Sequence, residues 1–189
     1  NITRVVVEAG ITSIGDWAFY DCTALTDITI PDSVISIGND SFRKCTSLKY
    51  LKLPNSITSI GDAAFSLCAK LNSVYINDLE NWCKIKFESS TSNPLSYAHN
   101  LYLNGNLVTD LVIPSGITSI GDYAFSGCES IKSITISDSI LSRGKGAFDG
   151  CKISKLNIAE GSKKITGSMV MCENTLSEVI IPNSVTCIG

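Results

Sequence analysis

Eight cysteines and a single histidine are the residues of this 189-residue chain best equipped for chemistry. Thiols can ligate zinc, form disulfides or act as nucleophiles, and each use demands its own spacing. Cys22, Cys45, Cys68, Cys128, Cys151 and Cys172 lie far apart, and no CxxC pair exists. From Cys22 to Cys45 to Cys68 the step is 23 residues. Side chains at one position of a repeat stack into a row, so these six predict interior free thiols acting as small buried hydrophobes. Cys83 and Cys187 fall outside the row, and for them free thiol and bridge both stand. His99, beside Tyr97 and Asn100, has no second histidine with which to build a metal site or triad. Asp16, Asp40, Asp62 and Asp122 recur in or near a turn after glycine, where carboxylates accept backbone N–H groups. A catalytic acid pair occurs once in a chain, not once per repeat. No catalytic residue, metal or cofactor is expected, and the chain reads as non-enzymatic.

Rows of this kind need a repeated element to align them. Ile14 to Cys22 reads IGDWAFYDC, Ile37 to Cys45 IGNDSFRKC, Ile60 to Cys68 IGDAAFSLC and Ile120 to Cys128 IGDYAFSGC. Between them recurs a second phrase, such as LTDITIPDSV from Leu25 and LKYLKLPNSI from Leu48. In LxxIxI apolar and polar residues alternate, which predicts a strand with one buried face. Pro31, Pro54, Pro114 and Pro182 follow that strand and end its ladder. Ser-Ile supplies a second short extended stretch, Gly is expected to turn the chain, and Ala-Phe-x-x-Cys to close it in one turn of α or 3₁₀ helix. One such unit cannot bury its own apolar face, so coils must stack. The prediction is one domain, 1–189, a curved right-handed β-rich solenoid of about seven units with a parallel β-sheet, on the order of 35 Å long.

The repeat resembles the BspA-like leucine-rich repeats, and its period lies within the leucine-rich range. That resemblance implies a surface-exposed or secreted, mostly bacterial, non-enzymatic protein used in adhesion and protein recognition. Composition narrows the partners independently. A net charge of -3 gives no basic field for nucleic acid. With 44% apolar and 17% charged residues the chain is ordered, and without a long apolar run no membrane span is expected.

The register breaks between Ile60 and Ile120, where residues 77–107 form an insertion. Asp78 is placed to cap a short helix anchored by Trp82, SSTSNP from Ser89 reads as loop, and LYLNGNLV predicts a type I′ hairpin about Asn104-Gly105. This insertion is expected to pack beside the solenoid. Later units decay: Arg143 replaces an Ile, and ITGSMVMC from Ile165 lacks Ala-Phe, with Met169 and Met171 as core fillers. Both ends fall within a unit, which suggests a piece of a longer protein with neighbouring repeats.

Outward positions of LxxIxI are free to vary. Tyr50, Lys52 and Tyr75 gather on neighbouring rungs, an anchor composition, and Trp82, Tyr97, His99 or Tyr102 are candidates for a wall beside them. This corner is the candidate site for a protein or glycan surface ligand, host-derived ones included. The alternative is a passive stalk presenting another domain.

Overall fold

The computed structural model describes residues 1–167, 169 and 175–189. The chain winds into about eight turns of a parallel β-solenoid, with most units contributing two short strands per coil. The first three coils carry β1 (Arg4–Val6) and β2 (Ser13–Ile14), β3 (Asp27–Thr29) and β4 (Ser36–Ile37), β5 (Tyr50–Lys52) and β6 (Ser59–Ile60). The fourth holds β7 (Ser73–Ile76), α1 (Leu79–Lys84), β8 (Lys86–Phe87), a 3₁₀ turn at Ser90–Ser92 and α2 (Leu95–Ala98). Then come β9 (Leu101–Leu103), β10 (Asn106–Leu107), β11 (Asp110–Val112), β12 (Ser119–Ile120), β13 (Ser133–Ile136) and β14 (Ser142–Arg143). The last are β15 (Lys155–Ile158), β16 (Lys164–Ile165), β17 (Glu178–Ile180) and β18 (Cys187–Ile188).

Two strand rows run along the solenoid. One contains β1-β3, then β5-β7-β9-β10, then β11-β13-β15-β17; the other contains β2-β4-β6-β8, β12-β14 and β16-β18. All pairs are parallel except the β9–β10 hairpin. Period-two alternation turns Ile28, Leu51, Val74, Leu111, Ile134 and Leu156 into the core and leaves their neighbours facing out.

The Ala-Phe-x-x-Cys segments are not helical. Trp17, Asp40, Ala63 and Tyr123 have φ between 52° and 61°, and Asp21, Lys44 and Leu67 are also left-handed. Alternating hand flattens each turn, so that every second N–H points to the next coil. Trp17, Phe19 and Asp21 donate to the carbonyls of Asn39, Ser41 and Arg43 at 2.9, 2.7 and 2.8 Å. A helix would direct those donors back into its own coil. The left-handed residues cost about 1–2 kcal/mol each, offset by this third row of intercoil bonds and by ring stacking. Phe19, Phe42 and Phe65 stack at 5.2 and 5.3 Å, and Phe125 stacks on Phe148 at 5.2 Å.

The glycine after Ser-Ile does not turn the chain either. Gly38 and Gly61 lack positive φ, but a Cβ on Gly38 would lie 2.3 Å from Asp16 Oδ1 and 2.6 Å from Asp16 N. The residue is glycine because the coil above is too near. Beside it, Asp16 Oδ1 accepts from Asn39 N and Asn39 Oδ1 from Asp62 N, both at 2.7 Å. The acceptor row is therefore Asp16, Asn39, Asp62 and Asp122, in place of the expected Asp40, which instead holds Arg43 at 2.9 Å. Ser33 and Ser56 donate to Ile11 and Val34 of the preceding coil, which accounts for the recurring serine after proline.

The insertion does not pack beside the solenoid; it is a coil of it. Ile60 pairs with Phe87 and Val74 with Leu101, so β8 extends one strand row and β9 the other. Asp78 caps α1 by accepting from Glu80 and Asn81. The expected loop contains the 3₁₀ turn, and α2 follows it. Asn104 and Gly105, at φ 50° and 80°, make the type I′ hairpin.

Candidate binding face

The thiols are consumed by packing. Cys45 and Cys68 are buried, and each donates its S–H to the carbonyl of a phenylalanine one coil back, Phe19 and Phe42, at 3.2 Å. Cys151 does the same to Phe125 at 3.1 Å. Burial pushes Cys45, Cys68 and Cys83 up to about 12, far from the thiolate a nucleophile needs. Cys22, Cys45, Cys68, Cys83, Cys128 and Cys187 are free thiols, with Cys22 half-buried and Cys187 exposed. Cys172 and Met171 lie outside the described residues; Met169 is buried. Among the described residues, no three His, Cys, Asp or Glu groups converge as a metal site would require.

The acceptor row is likewise satisfied from within. At the fourth coil, where no N–H arrives in register, the hydroxyls of Ser89 and Thr91 donate to Asp62 and hold its carboxyl below the usual range. The insertion repeats this substitution on its other side. Carbonyls of Tyr123 and Ala124 accept from Asn93 Nδ2 at 2.7 and 2.9 Å, and Ala124 also from Trp82 Nε1 at 2.8 Å. Side-chain donors thus replace the backbone row where α2 breaks it. Trp82 is only 1% exposed, so it cannot wall a binding site: its indole joins two coils. His99 is exposed but lies in the turn row, with Nδ1 3.1 Å from Gly127 O and 3.9 Å from Glu129 Oε1. Tyr97, half-buried, packs against the core. These three do not meet the corner.

Tyr50, Lys52 and Tyr75 do meet. Lys52 pairs with Tyr75 across β5 and β7, and Tyr75 pairs with Tyr102 across β7 and β9. Tyr75 and Tyr102 stack at 4.6 Å, Tyr50 meets Tyr75 edge-on at 6.3 Å, and Lys52 Nζ lies 6.0 Å from the Tyr50 ring. Tyr102, expected only as wall, stands in the column itself; its place between Leu101 and Leu103 carries the same alternation that placed Tyr75. Tyr50 donates to Asp27 at 2.9 Å, which raises the phenol's pKa, and Arg4 reaches the same carboxylate at 3.3 Å. Asp27, Thr29, Tyr50 and Lys52, with Ile28 and Ile30, line a cleft of about 320 Å³ between β3 and β5, which are not ladder partners. The outcome is a half-buried aromatic run with one cation, fixed by a charged chain at its edge. Such a surface offers ring faces, edges and hydrogen-bonding groups but no activated nucleophile.

Parallel strands in register, coil on coil, with their inward residues buried between the end coils define a solenoid repeat protein. Six copies of the BspA type leucine rich repeat region match it, over residues 1–102 and 96–189, and the chain belongs to that family. It is similar to a solved leucine-rich repeat protein from Bacteroides ovatus, at 23% identity and TM-score 0.40, over 100% of this chain and 63% of that one. A leucine rich cell surface protein from Faecalibacterium prausnitzii is 18% identical, with TM-score 0.32, over 98% and 83% of the two chains. The pneumococcal vaccine antigen PcpA is 18% identical, with TM-score 0.51, over all of this chain and 47% of its own. The chain thus spans less than two thirds of the Bacteroides ovatus protein. No curated protein matches the chain. Among the described residues no helix is long and apolar enough to cross a membrane.

Proposed function

We propose that this chain is a recognition segment of a surface-exposed or secreted repeat protein, adhering to a protein or glycan through its outward strand face, without a chemical step. One observation carries the reading: Tyr50, Tyr75 and Tyr102 form a contiguous ring cluster beside Lys52 on a face the fold does not need for burial. Large, rigid, amphipathic side chains held in place before binding lose little entropy on contact, which is why such residues anchor interfaces. A surface location is the expectation that the BspA type repeat family carries, and one solved neighbour is a pneumococcal vaccine antigen. The reading without a chemical step is supported by Cys45, Cys68 and Cys151 donating, and Asp16, Asp62 and Asp122 accepting, intercoil hydrogen bonds.

The test is binding of the chain and of a Tyr50→Ser/Tyr75→Ser variant to a panel of extracellular-matrix proteins, mucins and bacterial surface glycans. Circular dichroism confirms that both are folded. Saturable binding that the variant loses supports the reading; binding that the variant retains places recognition elsewhere. No binding to any panel member favours the stalk.

A further inference from the structure

One interface between coils is built unlike the rest. The first two coils are joined by β1–β3, by β2–β4 and by the turn bonds from Trp17, Phe19 and Asp21. Later neighbours keep at least one strand row in ladder: β4–β6; β5–β7 with β6–β8; β11–β13 with β12–β14; β13–β15; β15–β17 with β16–β18. Between the fourth coil and the coil of β11 and β12, both rows stop. β10 closes one sheet by folding back on β9, β8 closes the other, and β11 and β12 each open a new one. Val108 N bonds Leu101 O at 2.9 Å, behind the break, whereas Thr109 O accepts from Lys132 N at 2.7 Å, ahead of it. Among the described residues, the backbone bonds that cross the break are Gly121 N→Cys83 O at 2.9 Å and Ser130 N→His99 O at 3.1 Å. Side chains supply the others. Trp82 Nε1 and Asn93 Nδ2 donate to the carbonyls of Tyr123 and Ala124, His99 Nδ1 lies 3.1 Å from Gly127 O, and Ser130 Oγ accepts from Leu101 N at 3.4 Å. The two sides still fit closely: a Cβ on Gly127 would lie 2.6 Å from Ser96 Cα, and Trp82, Leu101 and Leu111 are buried.

We infer that this break is a seam at which the solenoid separates into two folded blocks, residues 1–108 and 109–189, before either block unfolds. In a stack of repeats, stability is the sum of each unit and its coupling to its neighbours, so the stack divides where that coupling is weakest. Ladder bonds are lost only when a whole strand leaves its neighbour. A bond from Asn93 Nδ2 or Trp82 Nε1 is released by the movement of one side chain. Each block keeps four coils, β1 to β8 in the first and β11 to β18 in the second, more than the about three repeats that a solenoid needs for stability. The seam is thus a hinge about Val108 and Thr109, on which the two halves part while their own strand rows stay intact. It is a property of the stack and does not depend on what the outward face binds.

Amide hydrogen exchange of the full 189-residue chain in low, rising urea tests this. Leu101, Gly121 and Ser130 donate across the seam, Phe42 within the first block and Phe125 within the second. The three seam amides are expected to share one opening that urea promotes, and to exchange faster than Phe42 and Phe125. Asn93→Ala should speed the seam amides about tenfold or more. Trp82→Phe, which removes the indole donor and keeps an aromatic ring, should act in the same direction. Gly38→Ala strains the first block equally whether the seam is open or closed, so it should speed Phe42 and leave the seam amides unchanged. Circular dichroism verifies that each variant is folded, and the unaltered chain is decisive where one is not. The inference is overturned if all five amides follow one urea-dependent opening, because the chain then melts as a unit. Seam exchange that urea does not alter also overturns it, because those amides then open by local fluctuation. So does a Gly38→Ala chain in which the seam amides speed up as much as Phe42.

Discussion

Substitution of Gly38 by alanine tests the account of coil stacking most directly. The added Cβ would sit 2.3 Å from Asp16 Oδ1, 2.6 Å from Asp16 N and 2.8 Å from Gly15 C. Two of these are backbone atoms of the neighbouring coil, which a rotamer change cannot move. Restoring ordinary contact requires the two coils to part by nearly an ångström. That motion stretches Gly38 N→Ile14 O, now 2.8 Å, and Asn39 N→Asp16 Oδ1, now 2.7 Å. Two weakened hydrogen bonds at about 1 kcal/mol each, plus overpacking strain of about 1–3 kcal/mol, give a destabilisation of about 3–5 kcal/mol. Gly15 occupies the same place in the first coil, where nothing lies within 4 Å of the built Cβ. Gly15→Ala is expected to change stability by less than about 0.5 kcal/mol. Urea unfolding followed by circular dichroism compares the two. Equal midpoints for Gly38→Ala and Gly15→Ala would refute the claim that close approach, rather than turn conformation, selects this glycine.

Three further outcomes are expected. Leu67, half-exposed at φ 61°, occupies a position where other coils carry Gly127 and Gly150; Leu67→Gly should raise the thermal midpoint by relieving about 1 kcal/mol of left-handed strain, and a lowered midpoint would contradict the assignment. Asn93→Ala removes three bonds, to Tyr123 O, Ala124 O and from Leu95 N, at a site 0% exposed; a loss of about 2–4 kcal/mol is expected, with amide exchange accelerated first in coils four and five. The buried thiols stay protonated in the folded chain up to about 12, against an ordinary 9.0. Their stabilisation is complete below pH 9 and is lost as pH rises from 9 toward 12, so stability should fall across that window under reducing conditions. The fall should be shallower in Cys68→Ala/Cys83→Ala, and parallel curves would refute it.

The repeat, the inward residues and the tyrosine corner were legible because all three depend on period alone. A step of 23 stacks like on like, and alternation in LxxIxI separates core from surface, so Leu51 and Tyr50 could be sorted without coordinates. Cysteine spacing likewise announced the buried places of Cys45, Cys68, Cys128 and Cys151. Other features depend on distances between coils, which no single unit encodes. Gly38 reads as a turn residue until Asp16 is placed above it, and Trp82 reads as an interface aromatic until Ala124 O is found 2.8 Å from its indole. The flat Ala-Phe-x-x-Cys turn has helical-looking residues, yet its N–H groups serve the next coil, an energy that exists only once coils are stacked. For the insertion, local pattern gave the cap at Asp78 and the hairpin at Asn104-Gly105. Its inclusion in the solenoid was decided by β8 and β9 finding Ile60 and Val74 as partners, because buried strand edges must be paired. Sequence by itself determined what each unit is; tertiary structure decided how two units touch, where the row breaks and which aromatics remain exposed.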